Sequence, residues 1–100
     1  MTTCATTLTR DMLPDAVSIK LNETPPDLKA ARLIADQKAF ELASDPMLLA
    51  WYEHKTGRFS PGVECCSETK PGWVVYAESR GGHLAIEIND LAYVFIYRNE

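Results

Sequence analysis

Cys65 and Cys66 are the most chemically pointed residues of this chain. A thiolate is a nucleophile and a metal ligand, and two neighbouring thiols can also close on each other. Their surroundings argue against activation. Glu64 and Glu68 flank the pair and disfavour the thiolate, with only Lys70 nearby to offset them. A zinc set drawn from Cys65, Cys66, His54 and His83 fails on geometry, because adjacent side chains diverge and neither the Cys nor the His spacing is a ligand pattern. Cys65 and Cys66 are therefore thiol candidates without an expected metal or cofactor, and the three cysteines, Cys4 included, point to reduced thiols in a cytoplasm.

A second set is polar. Tyr76, Glu78, Arg80, His83 and Glu87 fall in or beside two alternating runs, 73–79 and 84–89, that flank Gly81-Gly82. Two glycines between alternating runs read as a hairpin turn. With that register Val75, Ala77 and Ser79 pair with Ile88, Ile86 and Leu84, while Tyr76 faces Glu87 and Glu78 faces Ala85. The five polar residues then share one sheet face, able to bind a small polar ligand under a lid and otherwise solvated. On the solvated reading Glu87→Gln changes stability by less than about 1 kcal/mol. Short motif matches carry less. Lys55-Thr56-Gly57 and Ser67-Glu68-Thr69-Lys70 echo serine β-lactamase motifs in reversed order and in far too short a chain. Gly81-Gly82 precedes no expected helix start, so it is no phosphate cradle.

These residues must be positioned by a chain of 100 residues with 10 Lys and Arg against 14 Asp and Glu, a net charge of −4. That length supports one core and excludes a cofactor domain with a separate substrate domain. The acidic balance, with no Lys/Arg stripe, disfavours nucleic acid and anionic membranes, so Trp51, Tyr52 and Trp73 are read as packing residues. No apolar stretch approaches the about 20 residues needed to cross a bilayer, and the Thr-rich start lacks a signal's basic and apolar regions. Residues 1–14 are expected as a flexible tail and 15–100 as a single domain.

Along that domain, Val17, Ile19 and Leu21 alternate with Ser18 and Lys20 as in a strand. Thr24-Pro25-Pro26-Asp27 supplies helix-start residues, with Thr24 as the cap. Leu28, Ala31, Ala35, Ala39 and Leu42 then form the inner stripe of a helix over 27–44, stopped by Ser44-Asp45-Pro46. Leu33 and Phe40, seven apart, lie off that stripe as a second contact surface. Residues 48–53 and 58–60 read as a hairpin around Gly57, although the short run 48–52 also fits a helix. Residues 61–72, with two Pro and two Gly, read as a surface loop. Tyr93, Phe95 and Tyr97 belong to a run apolar on both sides, which needs cover as a bare edge.

The order strand, long helix, strands gives an α+β fold, one helix packed on a curved antiparallel sheet of four to six strands. It resembles the cystatin-like arrangement. More specifically, Ser44-Asp45-Pro46-Met47-Leu48-Leu49-Ala50-Trp51-Tyr52, Phe59-Ser60-Pro61, Glu64-Cys65-Cys66 and the run from Trp73 to Gly82 resemble an uncharacterised small prokaryotic protein family, a domain of unknown function. That resemblance implies no catalytic residues. The expectation is a non-enzymatic cytoplasmic domain that contacts a protein partner or its own copy through Leu33 and Phe40 or through Tyr93, Phe95 and Tyr97. The alternative is a thiol-dependent or small-ligand site on the Cys65-Cys66 loop and the polar sheet face.

Overall fold

Asp27 opens the long helix. In the computed structural model, which describes residues 9–13, 15–60 and 71–99, its carboxylate accepts from the Ala30 N–H at 2.9 Å and satisfies one of the donors the first turn leaves free. The cap is thus Asp27, while the Thr24 hydroxyl accepts from Asn89 Nδ2 at 3.1 Å. Helix α1, Leu28–Leu42, buries Ala31, Ala35 and Ala39 completely. Three small residues on one stripe let its axis lie close to the sheet. Leu42, placed on that stripe by its spacing, sits in the last turn and is half exposed.

The sheet holds β1 Ala16–Ile19, β2 Pro46–Glu53, β3 Arg58–Ser60, β4 Leu84–Ile88 and β5 Tyr93–Asn99, in the order β1-β4-β5-β2-β3. β2–β3, β2–β5 and β4–β5 pair antiparallel, as expected of an α+β sheet, and 48–52 resolves as strand. β1 pairs with β4 in parallel. α1 covers the face carrying Val17, Ile19, Ile86, Ile88, Tyr93, Phe95 and Tyr97.

The opposite face is covered too. Residues 73–79, expected as a strand, form helix α2, Gly72–Ser79, which buries Trp73, Val74 and Ala77 against Ala50, Ala85, Val94 and Ile96. Burial at i, i+1 and i+4 is the helical period, and Val75, assigned to the core by the hairpin register, is 38% exposed. The Pro71 carbonyl accepts from the Val74 and Val75 N–H groups to begin the helix. Gly81 and Gly82 end it. Gly81, at φ +87°, donates to the Glu78 carbonyl at 3.1 Å, and Gly82 donates to the Ala77 carbonyl at 2.8 Å. That bond pair is the Schellman stop, which needs a left-handed residue after the helix just as a hairpin turn does. With a second helix and a parallel pair, the layout departs from the cystatin-like order.

Preceding β1, a 3-10 turn over Arg10–Met12 leads to Leu13, buried in the α2-side core. Of residues 9–13, Leu13 packs on the sheet, while 9–11 are exposed. Cys65 and Cys66 lie outside the described residues.

Candidate functional site

The polar candidates do not share a face. Tyr76 and Glu78 lie on α2, and Arg80 caps it with its guanidinium 4.2 Å from the centre of the Tyr76 ring. His83 is exposed beyond the helix, its Nδ1 3.3 Å from the Gly81 carbonyl. Glu87 is completely buried in the sheet face that α2 covers. The expected solvated surface is therefore an interior, because the element read as its partner strand is the helix above it.

Glu87 is held from three directions. Its Oε2 accepts from Arg10 Nε at 2.7 Å and from the Ser18 hydroxyl, and its Oε1 accepts from the Leu91 N–H at 3.1 Å. Arg10 continues to Asp90 at 3.3 Å, and Lys20 approaches the same carboxylate at 3.5 Å. The turn that Glu87 grips is strained, since Asn89, Asp90 and Leu91 all have positive φ, between 50° and 70°. Asn89 anchors it further by accepting from the Leu21 N–H at 2.7 Å. Because Glu87 spends its acceptor capacity on Arg10, Ser18 and Leu91, it joins three segments and has little left for a ligand.

Tyr93, Phe95 and Tyr97 sit on β5, the middle strand, and are buried. β4 and β2 flank that strand, so no bare edge exists there to demand a partner. The Tyr97 hydroxyl donates to Asp36 Oδ1 at 2.6 Å, and burial first, then that carboxylate, holds its ionisation well above the ordinary range. Tyr93 donates to the Pro25 carbonyl at 3.1 Å, and its ionisation is raised by burial and then by neighbouring Glu53.

Leu33 and Phe40 are 62% and 63% exposed on α1, away from the alanine stripe. One heptad apart, they occupy nearly the same angular position on the helix. They are the largest departures from an apolar-inside arrangement among the described residues. No group of three His, Cys, Asp or Glu among those residues could hold a metal ion.

One residue escaped the sequence reading. Glu53, at the end of β2, is 6% exposed and accepts from the Thr56 hydroxyl at 2.7 Å. Its signal is phase. Glu53 stands two residues after Trp51, and their partners across the ladder are Tyr93 and Phe95, so it shares the face that α1 covers.

The family model described as Domain of unknown function (DUF5619) matches residues 14–97. A relative from Archaeoglobus fulgidus, named only as an uncharacterized protein, is 42% identical over 64 residues, 61% of this chain and 68% of the relative. A crystal structure of a novel protein from Archaeoglobus fulgidus DSM 4304 is similar with a TM-score of 0.73 and 33% identity, over 88% of this chain and 96% of that one. The resemblance to an uncharacterised family is thereby met.

Proposed function

The chain belongs to the DUF5619 family, and on that premise we propose that it is a non-enzymatic contact domain whose partner is a second copy of itself, docked through the outer face of α1. The observation that carries this reading is the exposure of Leu33 and Phe40 on a helix whose other apolar stripe is already buried in its own core. Apolar surface held in water by a rigid element is stabilised by covering it. A second copy suits the spacing. Positions 33 and 40 lie on either side of the middle of α1, so a two-fold antiparallel pairing sets Leu33 of each copy against Phe40 of the other along most of the helix. Antiparallel helices also oppose their dipoles favourably.

Among the described residues no helix is long and apolar enough to cross a membrane, and the unpaired cysteine count supports a reducing, cytoplasmic setting for such a pair. A ligand site made from Tyr76, Glu78 and Glu87 is not carried forward, since the three do not converge. Sedimentation velocity over a concentration series tests the pairing: the chain is expected to sediment as a dimer at high micromolar concentration and Leu33→Asp/Phe40→Asp as a monomer. A monomer throughout for the unaltered chain would remove the reading.

A further inference from the structure

Between the first turns of α1 and the β2–β3 turn lies a groove of about 500 Å³, lined by Asp27, Leu28, Lys29, Arg32, Glu53 and Arg58. Its volume falls within the range of small-molecule sites. Glu53 makes it unusual. The side chain is withdrawn from water, its neighbours are the Thr56 and Tyr93 hydroxyls, and among the described residues no Lys, Arg or His nitrogen lies within 4.0 Å of its carboxylate. Glu87, buried still more completely, shows what this fold provides when a carboxylate is purely structural, namely an arginine, a hydroxyl and a backbone N–H. With the Tyr93 proton given to the Pro25 carbonyl, the Thr56 hydroxyl compensates the carboxylate incompletely, and an ammonium arriving from the groove would complete it.

Arg58 stands directly across the β2–β3 ladder from Glu53 with its guanidinium beyond 4.0 Å of the carboxylate, and Lys29 lies on the first turn of α1. Lys29 and Arg58 are exposed, and among the described residues neither side chain has a hydrogen-bond or ion-pair partner. Arg32 shares its charge with Asp36 at 3.5 Å. The Asp27 carboxylate accepts from the Ala30 N–H and forms no ion pair with Lys29 or Arg58. One groove thus holds a buried carboxylate and two cations that form no ion pair with it.

We infer that this groove binds a small zwitterion of the amino-acid kind, its ammonium on Glu53 and its carboxylate on Lys29 and Arg58. A simple anion meets Glu53 unfavourably and a simple amine meets the cations unfavourably, so only a ligand carrying both charges satisfies the site. The inference goes beyond the pairing, and because Lys29 lies one turn before Leu33 on α1 its test is run at a chain concentration below that at which pairing sets in.

Titration of the full chain, followed by amide ¹H–¹⁵N shifts, tests it. The probes are the unbranched amino acids from glycine to 6-aminohexanoate, each beside the carboxylic acid and the amine of matching length. At least one amino acid is expected to give saturable shifts over residues 27–32 and 53–58, with an affinity about tenfold or more above its matched acid and amine. Glu53→Gln should reduce that affinity to the acid's, and Arg58→Gln should lower it towards the amine's. Absence of saturation by every member, saturation without the advantage over acid and amine, or an advantage that survives Glu53→Gln would each overturn the inference. The comparison of ligand types on the unaltered chain decides without the variants should Glu53→Gln fail to fold.

Discussion

Two carboxylates in the same sheet have opposite roles because their donors differ. Glu87 holds Arg10, Ser18 and Leu91 together, so Glu87→Gln is expected to cost about 2 kcal/mol in denaturant unfolding, the range for hydrogen bonds to a charged group. A loss below about 0.5 kcal/mol, as at an exposed position, would show that the three-way contact contributes little. Phase in Leu84-Ala85-Ile86-Glu87-Ile88 already separates Ala85 and Glu87 from the other three. What it does not reveal is that α2 and Leu13 cover that side, since both are remote in sequence. Glu53 was legible in the same way, from its step of two after Trp51. Tyr97 gives a pH signature. Its ionisation in the fold is raised by burial and by Asp36 above the ordinary unfolded value of about 10, so the fold binds that proton more tightly. Its contribution is fully present below about pH 10 and is lost as pH rises towards the folded value. Thermal unfolding between pH 8 and 11 should therefore fall steeply at the alkaline end, and less steeply in Tyr97→Phe; equal slopes would contradict this.

At the scale of elements, α1, the β2–β3 hairpin, β4 and β5 follow directly from residue pattern and punctuation. Gly57 and the alternation over 84–88 each favour one local answer, while the run 48–52 fits a strand or a helix and the helix start offers Thr24 as well as Asp27 for the cap. Residues 73–79 favour two. Their apolar positions satisfy a period of two or of 3.6 over so short a window, and Gly81-Gly82 serves either a hairpin or a helix stop. The choice is made by the sheet face left open over Ala85, Val94 and Ile96, which tertiary packing fills with Trp73, Val74 and Ala77. The two glycines separate the alternatives experimentally. A Cβ on Gly82 would stand 2.7 Å from the Ala77 carbonyl oxygen and 3.0 Å from Ile96 Cγ2, whereas on Gly81 it meets nothing within 4 Å. Gly81→Ala is expected to cost about 1 kcal/mol for its left-handed backbone, and Gly82→Ala more, because a helix end must move. Urea midpoints in the reverse order would argue against the Schellman stop.

The whole molecule is a mixed sheet with apolar clusters on both faces, one under α1 and one under α2 with Leu13. Both faces being filled, the apolar groups of α1 that remain outside, Leu33 and Phe40, have no use in the monomer's own core. Their spacing was legible in the sequence, as was the α+β class. The parallel β1–β4 pairing was not, because Ala16–Ile19 shows an alternation equally suited to either direction and its partner is almost seventy positions away. That pairing and the central place of β5 remove Tyr93, Phe95 and Tyr97 from the surface, so the proposed association falls to the helix. The most direct measurement is an isotope-filtered NOE experiment on a mixture of ¹³C-labelled and unlabelled chains. Pairing through α1 requires intermolecular cross-peaks between Leu33 methyls and the Phe40 ring. A concentrated sample showing no such cross-peaks, with both side chains keeping their monomer shifts on dilution, would contradict it.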